Sequence, residues 1–131
     1  MQVAANQSGI RGAVENHECT LRKLSIGDDA FIDAVLVSER ANLGQSGLDP
    51  KSHALVRLGA LIAVDGASPS YLDALESARA CGTSDDEVVG CLIAVLPELG
   101  AARVISASPK LALAIGYDVA AALEDSGSPL G

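Results

Sequence analysis

His53 and Arg57 are the residues whose types and spacing most directly suggest chemistry, since the chain has only two histidines. Residues four apart in a helix lie on one face, so the two side chains would reach the same region. A neutral imidazole can act as a general base, and a guanidinium can hold a carboxylate. The spacing predicts His53 as a catalytic base and Arg57 as a substrate-binding group. The alternative is a first-turn histidine that faces solvent.

Glu98 and Arg103 are the charged residues of an otherwise apolar stretch over residues 91–107. An apolar setting beside Pro97 and Leu99 favours the protonated form of a carboxyl group, so Glu98 could act as a catalytic acid. Arg103 could bind a substrate anion. Alternatively, Glu98 is an exposed residue that caps the next helix, and Arg103 pairs with an acidic neighbour across an interface.

Tyr71 and Tyr117 supply nearly all the aromatic surface, because aromatic residues make up 2% of the chain. Either ring could line a pocket and donate its hydroxyl, and we predict Tyr71 as a substrate-binding residue. The alternative for both is half-buried packing at a helix edge.

The remaining potential ligand groups do not predict a metal or a cofactor. Glu15, His17, Glu18 and Cys19 form a single cluster without a second ligand set at recognisable spacing. The sequence also lacks a glycine-rich phosphate loop and a nucleophile elbow. We therefore expect no metal and no cofactor.

Charge and cysteine content limit the partners and the compartment. The net charge is −8, and the nine basic residues are scattered, which argues against nucleic acid and against an anionic membrane surface. No uncharged apolar run is long enough to span a bilayer. Three cysteines, with no leader at the start, lead us to expect a cytoplasmic protein.

Helix-start signals indicate an all-α fold of about six helices. A capping oxygen precedes a proline at Asp49-Pro50, Ser68-Pro69 and Ser108-Pro109, and Ser84 with Glu87 matches a capping box. The predicted helices span residues 29–43, 50–64, 69–81, 85–96, 98–107 and 109–124. They form one compact domain over 21–125, with a flexible lead-in over 1–20 and a tail over 126–131.

Two of these segments are too apolar for a small monomer to cover. Residues 54–64 are apolar on every side except at Arg57, and residues 111–123 repeat apolar side chains at four-residue spacing. Contacts between subunits would bury them, so we predict a homo-oligomer. Gly59 and Gly90, which disfavour helix, indicate close helix contacts.

Residues 48–63, which begin Leu48-Asp49-Pro50-Lys51, resemble the opening of the carboxymuconolactone decarboxylase family, which includes the AhpD-like alkylhydroperoxidases. The similarity continues through residues 78–88 and covers about residues 48–107. It implies an AhpD-like helical fold, assembly as a trimer or hexamer, and a pocket formed in part by the first apolar helix. In the same alignment His53 lies within one residue of the proton-relaying glutamate of the peroxidases.

The chain departs from this family at its reactive residues. The peroxidase branch carries a CxxC pair and a histidine, and the matching positions here are Ala67, Ser70 and Ala74. A thiol peroxidase needs one thiolate to attack peroxide and a second thiol to resolve it. The decarboxylase branch also carries a histidine at the position of Ala74, so that activity is weakened too.

The sequence therefore predicts a divergent, non-redox relative that binds or acts on a small molecule, carboxylated or a lactone, in a helical pocket. If it is an enzyme, acid–base chemistry of the lyase or decarboxylase type is expected. The alternatives are an oligomeric scaffold or partner-binding protein without catalysis, and a thiol peroxidase by family membership alone.

Overall fold

The structure, a computed structural model, describes residues 17–126. Over that range it contains helices and no strand, so the predicted all-α class is confirmed. The chain divides into two compact units, Met1–Gly47 and Leu48–Gly131. Such a division separates clusters of contacts rather than domains, and the single domain over 21–125 stays a prediction.

The N-terminal unit contains three short helices. Residues 17–26 form α1, so residues 17–20 of the predicted lead-in are helical, while residues 1–16 lie outside the described residues. Two further helices follow: α2 over Asp29–Val37 and α3 over Glu39–Ser46.

The predicted single helix over 29–43 is wrong because Ser38 interrupts it. Asp28 begins α2 by accepting a hydrogen bond from Phe31 N at 2.9 Å, as its position suggested. Ser38 is extended, and its hydroxyl accepts a bond from Ala41 N at 3.0 Å, which starts α3. Serine competes with helix propagation and favours N-cap positions. The helix then continues past Gly44, beyond the predicted end at residue 43, to a left-handed Gly47.

None of the described side chains of this N-terminal unit is buried. Five of its large apolar side chains are exposed: Leu21, Leu24, Ile26, Leu36 and Val37. Four others are partly buried: Phe31, Ile32, Val35 and Leu43. Helices of eight or nine residues are marginal in water by themselves, so most of their stability has to come from packing.

The second unit contains the hydrophobic core. Its helices are α4 over Pro50–Ala63, α5 over Ser68–Ala80, α6 over Asp85–Ala94, α7 over Leu96–Leu99, α8 over Ala101–Ile115 and α9 over Val119–Asp125. The core residues come from four of them: Ala54, Leu58 and Ile62 from α4; Tyr71, Leu75 and Ala78 from α5; Val88, Cys91 and Leu92 from α6; Val104, Ala107 and Leu111 from α8.

Helix α8 differs most from the prediction, because it runs through Pro109 rather than starting there. Val104, Ala107 and Leu111 share one face at helical spacing and are all buried, so packing keeps the segment helical. A proline in a helix interior removes one hydrogen bond and usually bends the helix. The helix ends at Gly116, whose φ of +105° is left-handed. Residues 111–123 are therefore not one continuous helix.

The other caps mostly follow the sequence. Asp49 accepts from Ser52 N at 3.0 Å with Pro50 at the start of α4. Ser84 and Glu87 form the predicted capping box, with bonds of 3.0 and 3.1 Å. Ser68 is the exception: it already lies inside α5 rather than capping it.

Glu87 predicts a pH dependence of stability. Its ion pair with Lys51 at 2.8 Å and its bond from Ser84 N lower its pKa from 4.5 to about 2. A depressed carboxyl pKa stabilises the fold above the unfolded value, and this contribution is lost as pH falls toward the folded one. We expect Glu87→Gln to be less stable than wild type at neutral pH, with the difference vanishing near pH 2 in urea unfolding.

Glu76→Gln is the matched control, since Glu76 is exposed on α5 and has no ion pair with any described residue. It should not reproduce the pH-dependent difference. If Glu87→Gln and wild type kept the same difference in stability at every pH, the role given to the charge would be wrong.

Candidate functional site: a cleft between α6 and α8

His53 and Arg57 lie one turn apart on α4, as their spacing predicted. His53 is buried, and its backbone N–H donates to Asp49 O at 2.9 Å. Arg57 is exposed. The interpretation of His53 as a solvent-facing residue is therefore wrong, while its role as a base stays a prediction.

Tyr71 is fully buried in the core, in one cluster with side chains of α4, α6 and α8. Its hydroxyl donates a long bond of 3.5 Å to Leu61 O. Burial raises the pKa of this phenol, and the charge of nearby Asp65 raises it further. A ligand could reach the ring only after the surrounding helices move, so the geometry favours packing for this residue.

A charge cluster that the sequence did not suggest forms around Asp65, in the turn between α4 and α5. Ser106 Oγ and Lys110 Nζ donate to Asp65 Oδ1 at 3.1 and 3.0 Å, and Arg103 lies 3.9 Å from Oδ2. The bonds from Lys110 and Ser106 lower the pKa of Asp65. Lys110 also donates to Gly66 O at 3.2 Å. These hydrogen bonds and ion pairs connect the α4–α5 turn to α8.

Asp65 has a φ of +55°, the one non-glycine residue in the described chain with a positive value. Aspartate tolerates this left-handed conformation better than most residues. Two signals in the sequence could have identified the cluster. One is the Asp-Gly pair that follows an apolar helix, and the other is the helical spacing of Arg103, Ser106 and Lys110. Arg103 does pair with an acidic residue, but within the chain.

The predicted site residues are only partly brought together. Tyr71 and Arg103 both lie near Asp65. His53 and Arg57 belong to α4, and Glu98 is exposed in the short helix α7. None of the five lines either of the two grooves described next. Their catalytic and binding roles stay predictions.

A cleft of about 400 Å³ lies between α6 and α8 and is also lined by Tyr117 and Val119, at the start of α9. Its apolar lining is Val89, Leu92, Leu111, Ala112, Ile115 and Val119. Leu111 is completely buried, so the floor of the cleft is part of the core. The polar residues of the lining are Asp85, Asp86, Ser108 and Tyr117.

The polar groups of the lining differ in what they contact. Asp85 is held by Arg79 in an ion pair of 3.1 Å, and Ser108 Oγ donates to Val104 O at 2.7 Å. Asp86 forms no side-chain hydrogen bond or ion pair with any residue that the structure describes. The ring of Tyr117 is about half exposed.

A second, more open groove of about 500 Å³ lies between α4 and α6. It is lined by Leu55, Val56, Gly59, Glu87, Gly90, Cys91, Ala94 and Val95. A Cβ on Gly59 would be in ordinary contact with Val95, at 3.5 Å, whereas a Cβ on Gly90 would meet open space. None of the described residues makes the close helix contact expected at Gly90, and the glycine leaves space in the groove.

Cys91, at the bottom of this second groove, is a buried thiol whose Sγ donates to Leu55 O at 3.7 Å. Burial raises the pKa of this thiol. It is therefore protonated at neutral pH, and peroxide chemistry requires the thiolate. Cys19 and Cys81 are exposed free cysteines.

The described residues contain no group of three or more His, Cys, Asp and Glu side chains placed to hold a metal ion. Glu15, part of the cluster noted in the sequence, lies outside the described range. Within that same range, no helix has the length and apolar character to cross a membrane.

Comparison of the chain with protein-family models, with curated proteins and with solved structures finds no match. The resemblance to the carboxymuconolactone decarboxylase family over residues 48–107 therefore stays a prediction.

Proposed function

We propose that this protein binds a small, largely apolar molecule in the cleft between α6 and α8, without redox chemistry. The enclosure of the cleft carries the proposal: it is less open than the α4–α6 groove, and its volume of about 400 Å³ lies within the range of roughly 300–1,000 Å³ typical of ligand sites. Its lining is mostly apolar with a few polar groups, which is the usual composition of such sites.

The cleft supports binding better than catalysis. No imidazole and no guanidinium line it, so it offers neither the base nor the anion-holding group predicted from His53 and Arg57. A non-redox activity at those residues would require a different pocket. The protonated Cys91 thiol in the other groove is a further argument against peroxidase chemistry.

Self-association is the second candidate, and it is favoured by the groove between α4 and α6. Val56 is 61% exposed on its rim, and Gly90 leaves a gap beside it. In a two-fold dimer the same surface contacts itself, so the projecting Val56 of one copy could fill the gap at Gly90 of the other. Glu87, the charged residue of the lining, is already paired with Lys51, so covering it leaves no lone charge.

Filling the cleft tests the first candidate. Ala112 lines the α6–α8 cleft, and Ala112→Phe would occupy much of the space that a ligand needs. We expect the variant to lose binding of phenethyl alcohol, an apolar probe, by at least about tenfold. Amide chemical shifts in a ¹H–¹⁵N NMR titration would give both the affinity and the location of the probe.

Ala102→Phe is the matched control, because Ala102 is an exposed alanine on the same helix and does not line either groove. It should bind the probe as wild type does. Ala112→Leu provides a smaller filling change if the larger ring disturbs folding. Equal affinity in wild type and both filled variants would contradict the proposal.

A further inference from the structure

We infer that the α6–α8 cleft takes an amphiphilic organic cation, with an apolar body inside the cleft and an ammonium group at Asp86 and Tyr117. This inference rests on the proposed function, since it assigns a charge to the ligand of the same cleft. Its basis is charge complementarity in an otherwise apolar cavity.

The three acidic residues in the first turn of α6 are not equivalent. Arg79 neutralises Asp85 at 3.1 Å, and Lys51 neutralises Glu87 at 2.8 Å. Asp86 has no such partner among the described residues, yet it lines the cleft. An ammonium group bound there would complete the third pair.

Tyr117 offers a second contact for a cation at the same cleft. Tyr117 lines the cavity and is 56% exposed, so a ligand in the cleft can contact it without displacing core side chains. Aromatic rings attract an ammonium group within about 6 Å of their centre. A carboxylate and an aromatic ring beside an apolar floor are together suited to an alkyl- or arylammonium ion.

The rest of the cleft disfavours an anion. Among the described residues no lysine, arginine or histidine lines it. Arg79, which donates to Ile115 O at 3.4 Å beside the cleft, is already paired with Asp85, so a carboxylate ligand would meet Asp86 without a free cation to offset it. The chain as a whole carries a net charge of −8, which raises the local concentration of cations and lowers that of anions. The carboxylated substrate predicted from the sequence therefore fits this cleft poorly.

Three probes that share a phenyl-alkyl body test the charge: phenethylammonium, phenethyl alcohol and phenylacetate. We expect the ammonium ion to bind about tenfold more tightly than the alcohol at low salt, and phenylacetate to bind most weakly. Each would be titrated into the full-length chain and followed by the amide shifts of the cleft residues.

Asp86→Asn removes the charge with little change in shape. It should abolish the preference for phenethylammonium while leaving the affinity for phenethyl alcohol within about twofold. Asp73→Asn is the matched control, because Asp73 is exposed on α5, outside both grooves, and changes the net charge equally. The preference should survive in that variant and weaken as salt is added.

The possible failures can be told apart. If none of the three probes shifted the cleft amides, the proposed function would be wrong and this inference with it. A second outcome would overturn only the inference. In it, phenethyl alcohol binds wild type as tightly as phenethylammonium does, and the Ala112→Phe variant no longer binds the alcohol. A preference for phenylacetate, or one unchanged by Asp86→Asn, would overturn it as well.

Discussion

Tyr71→Ala should lower the free energy of unfolding by about 3–5 kcal/mol, the cost usually measured when a large buried aromatic side chain is truncated. Tyr71 is the largest fully buried side chain of the second unit, and it packs with α4 and α8. Removing its ring leaves a cavity that helices fixed by several other contacts can close only in part.

Tyr71→Phe separates the ring from the hydroxyl. The hydroxyl makes one long bond to Leu61 O, and that carbonyl also accepts from Gly66 N at 3.0 Å. No buried acceptor is left unpaired in the variant, so we expect a change below about 1 kcal/mol. Urea unfolding followed by circular dichroism would measure both variants. A large loss with Phe, or a small one with Ala, would show that the residue is not mainly a packing group.

The second large effect concerns assembly, and it follows from the self-association candidate. Wild type is expected to scatter light as an oligomer at micromolar concentration, and Gly90→Leu as a chain of 13.2 kDa. Gly90 leaves open space in the α4–α6 groove, and a leucine there would occupy the gap that a second copy needs. Within one chain the same side chain would meet no obstacle at its Cβ.

Gly44→Leu is the control for assembly, because Gly44 also lies inside a helix and a Cβ added to it would have no atom within 4 Å. It should remain oligomeric. Gly90→Ala adds a check on the single chain, since replacing an exposed helical glycine with alanine usually adds about 0.5–1 kcal/mol of stability. A monomeric wild type, or an oligomer indifferent to Gly90→Leu, would contradict self-association through this groove.

The local features of the fold were predictable from the sequence because short-range chemistry determines them. Asp49 before Pro50, and Ser84 with Glu87, satisfy free backbone N–H groups within three residues, whatever the rest of the chain does. Ser38 carried the same kind of signal, followed by Glu39 at the start of α3, and a search for internal caps would have divided the predicted helix over 29–43.

Features that depend on packing were not predictable in the same way. Pro109 matches a helix start as well as Pro50 does, and only the burial of Leu111 on the continuing face decides between the two structures. In α5, the three-residue spacing of Leu72 and Leu75 favours one shared face, yet Leu72 is 47% exposed while Tyr71 and Leu75 are fully buried. Small shifts in how a helix is rotated cannot be derived from its periodicity alone.

The candidate site was the least predictable part. The cleft is formed by side chains of α6, α8 and the start of α9, so it exists only once these helices are packed. Of the residues considered from the sequence, Tyr117 lines it. The sequence alone does not distinguish Asp86 from Asp85 at the start of α6, because the difference depends on the position of Arg79, which pairs with Asp85.

The helices of the N-terminal unit have a calorimetric consequence, because none of their described side chains is buried. The heat-capacity increase on unfolding comes from exposing apolar surface, and globular proteins average about 12–15 cal/mol/K per residue. In residues 17–47 Phe31, Ile32, Val35 and Leu43 are partly buried and none is fully buried, so unfolding this unit should raise the heat capacity less per residue than unfolding the core does. Most of the curvature of the stability curve with temperature would then come from the residues that follow Gly47.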